Sequence, residues 1–306
     1  MMISAARDNA ALAQDECRKS QRASFAQLFA MMMGVLIGLS ASLSGAHAQG
    51  AGTIPLQSFS NSRPLQGDSI RFCVDDFSVG AAFDRSVAEA ISEALLVKAE
   101  FRPAPAGFPL DGTGYLDELQ LVMSKECEVL VGISLTPGMA ESPFPDWATV
   151  TRSYAQVPFV VVVTDASYKS IGDIPSGKFM GGMIGSLGIG AAVTFNQQRP
   201  QEQRLRYLPY GDPNLMLKRL LDGSIAGMII WQPQLNQITK GDLAGPGLKI
   251  ASFAPMKPVL TGVGNLVSSR ESYLRASIDQ AIGQLVADGT IAKLMKKHGY
   301  EGVAGP

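Results

Sequence analysis

The sequence predicts an α/β protein folded as two units, and three observations lead there. Short β-rich apolar runs alternate with longer runs of helical period, and turn signals such as Asp222-Gly223 and Asp288-Gly289 punctuate them. Setting aside a 48-residue leader from the 306 residues leaves 258, about two domains at roughly 100–200 residues each. Strands separated by helices of this length imply βαβ units, with mostly parallel sheets covered by helices on both faces.

The leader comes first. Arg18, Lys19 and Arg22 precede a twelve-residue apolar run, Leu28 to Leu39, and small residues follow it up to Ala46-His47-Ala48. This is the layout of a secretory signal peptide over residues 1–48, with cleavage near Ala48 and a periplasmic destination. At about 1.5 Å per residue the run reaches only about 18 Å, short of the roughly 30 Å hydrocarbon core, so a permanent anchor is disfavoured. Residues 49–67, rich in Gly, Ser, Asn and Pro, read as a mobile leader to the folded part.

What remains has 22 Lys plus Arg against 24 Asp plus Glu. A net charge this close to zero leaves no basic field for nucleic acid, and 17% charged residues is too few for a disordered polyelectrolyte. One histidine survives, His298, in the lysine-rich segment KLMKKHGY, where it reads as a solvated helix-end residue that complements the helix dipole. Serine and cysteine triads and multi-histidine zinc sites all need an imidazole placed in a site, so they are excluded, and no metal or cofactor is expected. The two remaining cysteines, Cys73 and Cys127, lie in strand-like segments. In an exported chain an even pair reads as one disulfide, the alternative being two buried thiols.

Taken in order, Ile70–Val74, Val129–Ile133, Phe159–Val163, Gly227–Trp231 and Leu266–Ser268 read as strands. Ser86–Leu95, Tyr115–Ser124, Asn214–Leu221 and Leu274–Val286 read as helices. Four local patterns carry more. LLDGSIAGMIIW, residues 220–231, is a helix end, a turn and a buried strand. Phe179 to Val193 is a strand, a glycine-rich loop and a helix; the loop frees backbone N–H groups but lacks the dinucleotide fingerprint. The segment from Tyr273 to Tyr300 pairs an amphipathic helix with a second, shorter one across Asp288-Gly289-Thr290. VLVGISLTPGMAES followed by TRSYAQVPFVVVV is a strand ending in a loop, then a strongly apolar strand after Ser153-Tyr154.

In this order and spacing the patterns resemble the extracellular solute-binding proteins of family 3, across about residues 68–303. The matching pieces are RFCVDD, FDRSVAEAISEAL, GISLTP, SYAQVPFVVVV, the Gly185-Ser186 loop, LLDGSIAGMIIW and ADGTIAKLMKKHGY. The resemblance implies the two-lobe periplasmic binding protein (type II) fold, with two hinge strands and ligand in the cleft. Lobe one would take residues 68–155 plus 257–303 and lobe two residues 156–256, with hinges near Ala155–Pro158 and Ala254–Pro258.

Amino-acid receptors of this family carry an Arg two residues after the Thr-Pro, to grip the ligand carboxylate, and an acid after the GMII-type strand, to hold the ammonium. Here Thr136-Pro137 is followed by Gly138-Met139, and Trp231-Gln232-Pro233 follows the strand. A zwitterion therefore loses both charged clamps. The departures are similar to those of the periplasmic binding-protein homologues associated with quinoprotein alcohol dehydrogenases. The shared pieces are the Cys of FCVDD, the Cys of CEVLVG, the TRSY entry to the first hinge and the Trp-x-Pro. By position, the resemblance makes Asp76, Phe77, Phe83, Ser134, Thr136, Met139, Tyr154, Ser186, Leu187, Trp231 and Gln232 candidates for a ligand- or partner-binding cleft. Asp84 reads instead as a first-turn acid of the helix after it. The expectation is a non-enzymatic periplasmic accessory of a quinoprotein (methanol/alcohol) dehydrogenase and its cytochrome c. A receptor that delivers a small apolar or neutral solute to an ABC permease is the alternative. A dehydratase-like enzyme on the same fold is more remote, since no carboxylate pair stands at a motif position.

Overall fold

The computed structural model describes residues 68–105, 113–135 and 144–306. The expected signal peptide, the 49–67 leader, Thr136 and Met139 lie outside the described residues. The elements run β1 (Ser69–Val74), α1 (Ala81–Ala94), β2 (Lys98–Pro103), α2 (Thr113–Lys125), β3 (Val129–Leu135), β4 (Ala148–Val150) and β5 (Ala155–Val163). They continue as β6 (Phe179–Met183), α3 (Leu187–Gln197), β7 (Arg206–Tyr210), α4 (Pro213–Leu221), β8 (Gly227–Trp231), α5 (Gln232–Thr239) and β9 (Lys249–Ala251). The chain closes with β10 (Leu260–Ser268), α6 (Ser272–Ala287), α7 (Thr290–Lys297) and β11 (Val303–Ala304).

Strand order is β2-β1-β3-β10-β5-β8-β6-β7. Among the named strands, parallel pairing is confined to β2–β1–β3 and to β8–β6–β7, where helices make the crossovers. The expectation of mostly parallel sheets is corrected at the centre: β10 runs antiparallel to β3 and β5, and β5 runs antiparallel to β8. β5 belongs to two sheets. Ala155 to Pro158 pair with β10, and Phe159 to Val162 pair with β8. The chain returns between β9, still on β5 at Val161 to Val163, and Leu260, which starts β10. The mixed α/β architecture is thus two sheets joined by one shared strand and one return segment.

Each sheet is covered on both faces, which is why its strands read as unbroken apolar runs. In the second sheet Val161, Val163 and Ile229 join one core, and Val160, Val162, Met228 and Ile230 join the other. In the first, Phe72, Val129 and Val131 pack with Val87 and Ile91 of α1 and with Ile278 and Ile282 of α6. Its opposite face holds the Cys73–Cys127 disulfide among Leu119, Met123, Leu130 and Leu266. The bond ties β1 to the turn before β3, as the paired-cysteine reading expects.

α1 begins five residues before the expected Ser86, and β10 begins six before Leu266. α1 ends in a Schellman motif: Val97 N–H bonds Ser92 C=O at 2.9 Å and Leu96 N–H bonds Glu93 C=O at 3.0 Å. The left-handed position falls on Leu96, at φ 58° and 93% exposed, where glycine is the usual occupant. Among the described residues no helix is long and apolar enough to cross a membrane.

Candidate functional site

The chemistry gathers where β1 and β3 end beside the first turn of α1. Asp84 sits in that turn, 4% exposed, and its Oδ1 accepts a 2.6 Å hydrogen bond from the Tyr154 hydroxyl. Its Oδ2 lies in a space that two glycines leave open: a Cβ at Gly80 would stand 2.7 Å from it, and one at Gly132 2.3 Å. Gly132 also holds φ at +78°, so glycine is required there twice over, by conformation and by contact. Burial pushes the Asp84 carboxyl up to about 7, against the opposing hydrogen bond from Tyr154. Asp84 is a first-turn acid as expected, but desolvation outweighs any gain from the helix dipole. Burial, reinforced by the Asp84 charge, holds the Tyr154 hydroxyl well above its ordinary value.

Aromatic rings surround this carboxyl. Phe83 lies edge-on to Tyr154 with centroids 5.8 Å apart and against Tyr300 at 4.4 Å, and Tyr300 meets the edge of Trp231 at 5.8 Å. Trp231 packs against the cores of both sheets. The Tyr300 hydroxyl and Trp231 Nε1 are both buried without a hydrogen-bond partner, and burial with the nearby Asp84 charge raises the Tyr300 hydroxyl. His298 departs from the expected solvated residue. Its Nε2 is 3.0 Å from Ser86 Oγ and its ring is tilted against that of Phe83 with centroids 6.0 Å apart; desolvation, then the Lys297 charge, lowers its pKa. It is therefore a weaker complement to the helix dipole than the sequence suggested.

Two cavities open nearby. The first, about 330 Å³, has Asp75, Ser78, Asp84 and Ser134 as its polar lining. Leu119, Leu130, Phe144, Trp147 and Leu266 form its apolar walls. The second, about 1170 Å³, runs from Ser186 and Leu187 along α3 to residues 256–260 of the return segment. Ser186 caps α3 by accepting from Ile189 N–H at 3.4 Å.

The sequence-derived candidates separate accordingly. Ser134 lines the first cavity, and Ser186 and Leu187 line the second. Phe83 and Tyr154 are buried in the core of the first sheet, and Trp231 bridges the two cores. Asp76 is ion-paired with Arg85, and Phe77 is 86% exposed. Gln232 is 2% exposed and faces the C-terminal segment: its Nε2 donates to Gly299 C=O at 3.1 Å and its Oε1 accepts from Glu301 N–H at 3.0 Å. Asn236 Nδ2 donates to the same carbonyl at 2.6 Å. Sequence reading missed Asp75, Phe144, Trp147, Asn236 and Tyr300. Phe144 and Trp147 are two aromatic residues close together in a Pro-rich stretch of sequence, which was the one available signal. Among the described residues no group of three or more His, Cys, Asp or Glu side chains is placed to hold a metal ion.

No protein-family model matches the chain, and a search of curated proteins finds no match. Solved structures do resemble it. Substrate-binding domain 2 of GlnP from Lactococcus lactis aligns with a TM-score of 0.56 at 18% identity, covering 78% of this chain and 97% of that one. AbpA, an amino-acid ABC transporter substrate-binding protein from Streptococcus pneumoniae bound to L-arginine, aligns at 0.51 and 18%, covering 76% and 94%. The GluR0 ligand-binding core in complex with L-glutamate aligns at 0.55 and 15%, covering 76% and 98%. The chain has the two-lobe periplasmic binding protein fold of these proteins.

Proposed function

We propose that this chain is a non-enzymatic, exported solute-binding-protein homologue whose site takes a small molecule that is not a zwitterion. Lobe one is residues 68–155 with 257–303, and lobe two is residues 156–256. The observation that carries the reading is Gln232. Where an amino-acid receptor of the resembling family presents an acid after this strand, the chain has the uncharged Trp231-Gln232-Pro233, and both polar atoms of Gln232 are spent on Gly299 and Glu301. The substrate-binding neighbours support the solute-binding role, and the arginine that would take a carboxylate is replaced in sequence by Gly138-Met139.

Within that role we assign the chain to the periplasm as an accessory of a quinoprotein alcohol dehydrogenase and its cytochrome c. The support is the motif set FCVDD, CEVLVG, TRSY and Trp-x-Pro, two members of which the Cys73–Cys127 bond joins. The test is to add the purified mature protein to a quinoprotein dehydrogenase from the same cell. Co-purification or altered turnover is the expected result; neither would sink the assignment. The second reading, delivery of solute to an ABC permease, rests on the names of the structural neighbours. A thermal-shift screen in which one metabolite raises Tm by several degrees would favour it.

A further inference from the structure

The first cavity is enclosed by one lobe's own elements. Its walls come from the turn between β1 and α1, α1 itself, the residue after β2, α2, β3, β10 and the 144–148 segment, and no residue of β6, α3 or β8 lines it. Its volume is at the lower end of the range of about 300–1,000 Å³ for ligand pockets. At about 30 Å³ per heavy atom, the share of a water in the liquid, it has room for about ten.

The charged residues of the cavity lining are all acidic. Asp84 is part of the lining, with Oδ1 taken by Tyr154 and Oδ2 given no hydrogen bond by any described residue. Asp75 stands beside it, its own Oδ1 accepting from Phe77 N–H at 3.0 Å. No Lys, Arg or His is among the described lining residues. Every other group facing Asp84 is uncharged or already engaged. Tyr154 donates to it, and Tyr300 brings a buried hydroxyl from the C-terminal segment. Arg85 is turned to Asp76, and His298 to Ser86. A buried carboxylate without a cation is unfavourable unless a partner arrives. The rings of Phe144 and Trp147 in the same lining suit an apolar body and favour a cation near their faces.

We propose that this lobe-one cavity binds a small organic monocation, a primary ammonium on an apolar aryl or alkyl body, with the ammonium on Asp84 and the body between Phe144 and Trp147. The proposal rests on the solute-binding reading above and narrows its ligand class: an amine without a carboxylate satisfies a site that has acids and no basic clamp. Since burial holds the empty carboxyl near 7, ammonium binding requires deprotonation, and affinity falls as pH drops through that value. From about pH 8 to pH 6 the loss is about tenfold.

The test is titration calorimetry of the mature protein with phenethylamine, phenethyl alcohol and phenylpropionate, three bodies of one size carrying cationic, neutral and anionic heads. Trp147 fluorescence, read in a Trp231→Phe background, reports the location. The amine is expected to bind at least tenfold more tightly than the alcohol, to quench Trp147 and to weaken at low pH. Asp84→Asn keeps an acceptor for Tyr154 and should bring amine and alcohol within about twofold of each other. Asp75→Asn, whose side chain is not buried, should cost the amine less. Equal binding of the alcohol or the acid, unchanged amine binding by a folded Asp84→Asn protein, or no binding of any of the three would overturn the proposal. The first of these would leave solute binding itself standing, and the metabolite screen judges that reading separately.

Discussion

Asp84 should make the protein less stable as pH rises from 5 to 8, against the usual trend for carboxylates. Its folded-state pKa is raised from 3.8 to about 7 by desolvation. Between those values the folded protein holds a proton that the unfolded chain has released, so stability falls with increasing pH. The penalty is absent below about pH 4 and complete above about pH 8. Three units at about 1.4 kcal/mol each put the whole effect at about 4 kcal/mol, with about 2–3 kcal/mol of it between pH 5 and 8. Asp84→Asn removes the titration while preserving the bond from Tyr154. The assay is denaturant unfolding of both proteins at about pH 5, 6.5 and 8, followed by the fluorescence of Trp147 and Trp231. His298, whose pKa is lowered, has the opposite slope in part of this window but is common to both proteins and cancels in the difference. The variant should gain about 2–3 kcal/mol on wild type between the end points. A difference that stays constant across the three pH values would refute the claim that this carboxyl is held protonated by burial.

Three further outcomes follow from the packing. Gln232→Ala strands the Glu301 N–H, whereas Gly299 C=O keeps Asn236, so the loss should be about 2–3 kcal/mol and lower Tm by about 4–12 °C. Asn236→Ala alone should cost under about 1 kcal/mol, and the double variant more than the sum because Gly299 then loses both donors; additive melting points would break this account. Replacing Cys73 and Cys127 by alanine opens a loop spanning a separation of 54 residues and should cost about 2–4 kcal/mol in denaturant unfolding, an unchanged midpoint being the contrary result. Leu96→Gly should raise Tm by about 2 °C, because it relieves a left-handed leucine that is almost wholly exposed; a lower Tm would mean that the side chain contributes packing the geometry does not show.

The strands that were legible are those buried on both faces, such as Val129–Ile133 and Gly227–Trp231, because continuous apolar runs leave one reading. β2, KAEFRP, was not, since its residues are half exposed and carry charge on an edge. The first half of β10 was hidden by Thr261, Gly262 and Gly264, which look like breakers. They are small because β10 lies between β3 and β5: a Cβ at Gly264 would meet Leu135 at 2.6 Å, and one at Gly262 would meet Ser153 and Leu135 at 3.2–3.3 Å. Asp84 was legible as a first-turn acid but not as a buried one. Its environment is built by Gly132, Tyr154 and Tyr300, distant in sequence and adjacent only in the fold. Gln232 was singled out as part of the Trp231-Gln232-Pro233 that follows the strand, yet its partners are backbone groups more than sixty residues away, beyond the reach of any local pattern.

The position of β10 has a consequence for how the molecule is made. This strand occupies the middle of the first sheet, between β3 and β5, yet it is synthesised only after every strand of the second sheet. As the chain emerges N-terminus first, β1, β2 and β3 have no neighbour on one side until residue 260 appears, and β11 settles on Ala155 and Gln156 later still. The first lobe to be made is therefore the last to be finished. A chain ordered in this way stays open and threadable for most of its synthesis, and its cavity beside Asp84 cannot close until β10 brings Leu266 to the wall.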